Sequence, residues 1–104
     1  MTTFDDRERA FETKFALDQE TDFRALGRRD QLIGRWAAER MGLSDGEVDG
    51  YVAGLIAVDL RAAGDEDLIG RLLIDLDGRA SEAEVRAKLD ELFAVARAEI
   101  EAGV

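Results

Sequence analysis

Ser81-Glu82-Ala83-Glu84-Val85-Arg86-Ala87-Lys88-Leu89-Asp90-Glu91-Leu92-Phe93-Ala94-Val95-Ala96-Arg97-Ala98-Glu99-Ile100 is the stretch whose period settles the fold class. A serine followed three residues later by a glutamate is the capping box of a helix start: the hydroxyl takes a free backbone N–H and the carboxylate reaches back to the cap. Behind that cap Val85, Leu89, Leu92, Phe93, Ala96 and Ile100 recur at helical spacing and form one stripe that must be buried against something.

The same grammar repeats upstream. Ser44-Asp45-Gly46-Glu47 opens a segment whose apolar stripe is Val48, Tyr51, Val52, Leu55, Ile56 and Leu60. Asp65 is expected to cap a third, carrying Leu68, Ile69, Leu72, Leu73 and Leu76, with Glu66 and Asp67 at the positive end of its dipole. Gly42, Gly64, Gly78 and Gly103 fall where these helices should stop. In the first segment the stripe runs from Phe23 through Leu26, Leu32, Ile33, Trp36, Ala37 and Met41. Trp36 and Tyr51 read as core residues whose polar tips reach the edge. The expected fold is all-α, a four-helix bundle with a mobile or partly helical N-terminal arm.

Composition agrees. The 104 residues contain no Pro, Cys, His or Asn and are rich in Ala, Leu, Glu, Asp and Arg, the composition of helices in one small domain. Without His or Cys there is no ordinary zinc site, thiol nucleophile or imidazole base, so the expectation is a protein that is not an enzyme and carries no catalytic residues, no metal and no cofactor. A net charge of −10 argues against nucleic acid and anionic membrane as partners. The charge is uneven: residues 1–40 hold eight basic and nine acidic side chains, net −1, whereas residues 41–104 hold six and fifteen, net −9. With no secretory signal and no long apolar run, the expected location is the cytoplasm.

The first segment is too long for its partners. Thr3 can cap a helix that meets no breaker before Gly42, so a run from 4 to 41 would span about 57 Å, against roughly 21–33 Å for the others. Its apolar period falters at Asp18-Gln19-Glu20-Thr21-Asp22, where a hinge or frayed junction is expected. Residues 1–19 are therefore read as an arm and 20–104 as the bundle. Phe4, Phe11 and Phe15, spaced by seven and four, would share one helical face, with Asp5 placed to support Arg9 one turn on. An aromatic stripe at helical spacing is usually core. Three of the five phenylalanines in the first fifteen residues, with no bundle helix to meet them, instead fit a segment that docks in another protein's groove.

Three stretches together resemble the zeta subunit of alphaproteobacterial ATP synthase, a family also catalogued as a domain of unknown function. They are residues 2–16, Thr-Thr-Phe-Asp-Asp-Arg-Glu-Arg-Ala-Phe-Glu-Thr-Lys-Phe-Ala; Arg28-Arg29 to Leu32 leading into Trp36-Ala37-Ala38-Glu39; and Ala63-Gly64-Asp65-Glu66-Asp67. The resemblance covers essentially the whole chain. It implies a regulatory inhibitor of the proton-translocating ATP synthase, in which a four-helix bundle carries an N-terminal inhibitory segment that inserts between alpha and beta subunits near the gamma shaft. The protein would be a monomer when free, and peripheral to the inner membrane through ATP synthase, without direct membrane contact. Carried over position by position, the segment is Thr2 to about Leu17, with Phe4, Phe11 and Phe15 as anchors and Asp5, Asp6, Arg7, Arg9 and Lys14 as polar contacts. The chain departs from the family pattern at Leu17, where a histidine is common, and at Asp30, where an asparagine is.

Rival readings are weaker. Asp65-Glu66-Asp67 and Asp75-Leu76-Asp77-Gly78 miss the calcium-loop spacing and are explained as helix caps and a solvated turn. Gly27-Arg28-Arg29-Asp30 lies inside a helical pattern, so a phosphate loop is not expected, and Arg28, Arg29 and Arg35 read as surface arginines. A non-catalytic helical adaptor or assembly factor with another protein partner is the alternative that the residues alone leave open.

Overall fold

A computed structural model describes the backbone of residues 3–61 and 64–103 and the side chains of 18–61 and 64–103. The chain is all-α: α1 spans Thr3–Met41, α2 Asp45–Arg61, α3 Glu66–Leu76 and α4 Glu82–Glu101, with no strand among the described residues. Both α2 and α4 run antiparallel to α1. Gly34 faces Val52, while Arg40 meets Glu84 and Arg28 meets Glu99.

The helix boundaries follow from local chemistry. α1 ends in a complete Schellman motif: Leu43 N–H donates to Ala38 C=O (3.0 Å) and Gly42 N–H to Glu39 C=O (3.1 Å), with Gly42 at φ +72° where a Cβ would be strained. Each capping box is half made. At Ser81 the hydroxyl accepts from Glu84 N–H (3.1 Å), but the Glu84 carboxylate goes to Arg40 instead of back to the cap. At Ser44 the opposite half is present, with Ser44 N–H donating to Glu47 Oε1 (3.1 Å). The Ser44 hydroxyl and then its N–H hold the Glu47 carboxyl below the usual range. Asp65, expected to cap α3, makes no side-chain cap bond, because its carboxylate turns to Arg29.

The core is one cluster: Ile33 and Ala37 of α1, Leu55 of α2, Leu68, Ile69, Leu72 and Leu76 of α3, and Val85 and Leu89 of α4. Trp36 and Tyr51 pack against it, each partly buried. The Tyr51 hydroxyl donates to Asp75 (2.8 Å), and burial, followed by that carboxylate, raises its pKa. Arg40 and Lys88 lie 5.0 and 6.0 Å from the Trp36 ring centre. Gly34 lets α1 and α2 approach so closely that an added Cβ would come within 2.9 Å of Val52 Cγ2.

Two expectations need correction. The backbone carries α1 through Asp18–Asp22 as unbroken helix, without the hinge expected there. This stretch is polar but holds good helix formers, and it is tied on both sides: Arg24 pairs with Glu20 (2.6 Å), and Arg97 of α4 bonds Asp22. Phe23, Leu26 and Leu60, placed in buried stripes by their spacing, are 70%, 37% and 73% exposed.

Candidate functional site

Two places on α1 stand out: its N-terminal segment and the junction where it meets α2 and the start of α3. The structure's long dimension is 61 Å against 25 and 22 Å across, close to the ~58 Å that a 39-residue helix alone would span. Among the described residues the ionic tie between α1 and α4 nearest the chain's start is Asp22 to Arg97, and α4 stops at Glu101. N-terminal to that point α1 continues as helix past the end of its main partner.

Phe4, Asp5, Asp6, Arg7, Arg9, Phe11, Lys14 and Phe15 all fall on this continuing helix, and their side chains lie outside the described residues. The backbone alone fixes their register. At about 100° per residue, positions 4, 11 and 15 share an arc of about 40°, and its edges coincide with the azimuths of Arg29 and Ile33, which α1 buries in the bundle. The same face is covered by the bundle in the C-terminal half of the helix, and the backbone of the other half runs on beyond the end of α4.

At the junction the structure brings together residues that the sequence reading treated as surface. Arg29 is only 4% exposed and Asp30 2%. Arg29 Nε and Nη2 donate to Asp30 (3.1 and 2.9 Å), and Nη1 and Nη2 donate to Asp65 (3.0 and 2.9 Å). Asp59 of α2 stands 3.8 Å from the same guanidinium. Burial works against the Arg29 charge, but Asp65 and Asp30 outweigh it and hold its pKa above the ordinary value. Asp30 goes the other way: burial first, then a hydrogen bond shared with Asp59, push it up to about 7 despite Arg29.

A signal for this network was present in the sequence. Ala25, Arg29, Ile33 and Ala37 are spaced by four, so Arg29 occupies a core position of α1 and has to arrive there with its own counter-ions. Arg28, by contrast, is half-buried and pairs with Glu99 (2.7 Å), and Arg35 is exposed. Asp75 is occupied by Tyr51 and Arg71, and Glu66 by Arg86.

A family model described as ATPase inhibitor subunit zeta matches residues 1–99. The chain belongs to this family. A solved structure titled "Solution NMR structure of the protein" is similar to it at 44% identity and a TM-score of 0.71, over 79% of this chain and 96% of that one. No curated protein matches. Membership in the zeta family supports a role as an inhibitor subunit of ATP synthase, points to a non-enzymatic protein, and implies association with that complex. No helix among the described residues is long and apolar enough to cross a membrane.

Proposed function

We propose that the chain blocks ATP hydrolysis by ATP synthase with the N-terminal part of α1, inserted at an interface between alpha and beta subunits beside gamma. Residues 1–19 act as the inhibitory arm and 20–104 as the bundle that limits its entry. The observation that carries this reading is the mismatch between α1, 39 residues long, and its longest partner α4, 20 residues long. A helix that overruns its bundle with three aromatic positions in line has the pattern of an anchor for another protein's groove. Phe4, Phe11 and Phe15 supply apolar contact area; Asp5, Asp6, Arg7, Arg9 and Lys14 supply the polar contacts around them. Inhibition of hydrolysis alone follows if the interface admits the arm only in the rotational state that hydrolysis visits.

The test is ATP hydrolysis by ATP synthase from the same source, titrated with the full chain, with a chain lacking residues 1–19, and with a Phe11→Ala, Phe15→Ala double variant. Inhibition by the full chain alone, with the double variant weaker by at least about ten-fold, equivalent to about 1.4 kcal/mol, supports the arm. Equal inhibition by all three would move the blocking element into the bundle. No inhibition by any would leave a helical adaptor.

A further inference from the structure

Between α1 and α2, on the side that α4 does not cover, lies a groove of about 300 Å³ walled by Phe23, Leu26, Ile56 and Leu60. Three of these side chains expose large apolar area at one place, which a monomer's surface seldom does without use. The polar side of the groove is formed by Asp30, Asp59 and Asp65. Among the described residues Arg29 is the one cation bonded within this cluster; it directs its hydrogen bonds to Asp30 and Asp65, leaving Asp59 at 3.8 Å with part of its carboxylate open. Asp59 and Asp65 alone outnumber the single guanidinium, so the cluster keeps an excess of negative charge beneath an apolar rim.

We infer that this groove is a docking site for a partner segment that presents a lysine or arginine from an apolar surface. The basic head meets Asp59, and its aliphatic stem, with the apolar residues beside it, covers Phe23, Leu26 and Leu60. The charge of the cluster excludes the opposite chemistry, because a phosphate or carboxylate would meet like charge in a poorly solvated place. A bare metal ion fits no better, since carbon walls cannot supply the six or more oxygens that a hard cation takes. The volume, at the lower end of ligand pockets, suits one or two side chains of a segment. The groove is distinct from the proposed inhibitory arm, and this inference stands or falls without it.

The test uses the full chain and a side-chain mimic, n-hexylammonium, with hexanoate as its counterpart of opposite charge, followed through backbone amide NMR. The expected result is saturable shifts centred on Gly27, Leu60 and Gly64 with the ammonium and none with hexanoate. Binding should weaken by about ten-fold or more in Asp59→Asn, which keeps shape and removes charge, and likewise in Leu60→Ser, where an exposed side chain is changed without touching the core. Equal response to both probes, or ammonium binding unchanged in both variants, overturns the proposal. Because no ATP synthase is present in this titration, its outcome is independent of whether the protein inhibits hydrolysis.

Discussion

α1 has two flanks in the bundle, and they are finished differently. Toward α4 the seam is close-packed, with Ala25 and Ala96 fully buried and ionic ties at Arg40–Glu84, Arg28–Glu99 and Asp22–Arg97 along its length. Toward α2 the contact is equally close at Gly34 and Val52 but opens below Asp30 into a groove with Phe23 and Leu60 on its rim. The difference is one of reach. α4 follows α1 down to Asp22, whereas α2 ends at Arg61 and the chain turns away at Gly64 to begin an 11-residue α3. Apolar spacing tells a helix which face to bury, and the length of its neighbours decides how much of that face is buried.

The contrast can be tested by substitution. The largest effect is expected at Leu72, fully buried in the shared core, where Leu72→Ala should cost about 2–5 kcal/mol in denaturant unfolding. Phe23→Ser or Leu60→Ser on the groove rim should stay within about 0.5 kcal/mol of the parent. A large loss at Phe23 would mean that the groove is part of the core and erase the distinction between the two flanks.

Next comes Asp30, with Arg29 beside it on α1, Asp59 facing it from α2 and Asp65 across the guanidinium. Its folded pKa of about 7 lies above the ordinary value of 3.8, so the folded state holds the proton more tightly than the unfolded one. Stability from this group is therefore full at low pH and is lost as pH rises through about 4 to about 7. Asp30→Asn, neutral throughout, should flatten that part of the stability profile. An unchanged profile would assign the slope to other groups.

A smaller pair of changes separates a filled place from an open one. Gly34→Ala meets Val52 Cγ2 at 2.9 Å, and the stiff β-branched neighbour makes the overpacking cost of about 1–3 kcal/mol outweigh the roughly 1 kcal/mol gain in helix propensity. Gly70→Ala, with nothing within 4 Å of its added Cβ, should keep most of that gain, about 0.5–1 kcal/mol. Thermal unfolding of the two variants should therefore shift in opposite directions. Ser81→Ala, which removes the one bond the hydroxyl makes to the start of α4, should cost about 1 kcal/mol.

Most of the fold was legible because glycine and serine mark ends unambiguously. Gly42, Gly64, Gly78 and Gly103 all adopt positive φ, and the serines before α2 and α4 each make part of their box. What was not legible depended on distant residues. Asp65 had the right position to cap α3, but a buried guanidinium 36 residues upstream competes for its carboxylate and wins on charge. The polar run at Asp18–Asp22 reads as a weak point by itself, and it is helical because Arg24 and Arg97 engage it. The Arg29–Asp30 network was hidden by residue type: a charged side chain at a core position reads as surface unless the four-residue spacing of its apolar neighbours is given more weight.

The unbroken course of α1 through residues 18–22 has a mechanical consequence. A helix that keeps its hydrogen bonds across this stretch would carry a rotation of the bundle into the N-terminal segment about the point where α1 leaves α4, and one that frays there would not. A tilt of about 10° at that pivot would sweep the tip of a segment about 25 Å long through about 4 Å, nearly one helical turn. Load on the bundle would then arrive at the far end as torque, and stiffness in this short polar stretch would set how much of it is delivered.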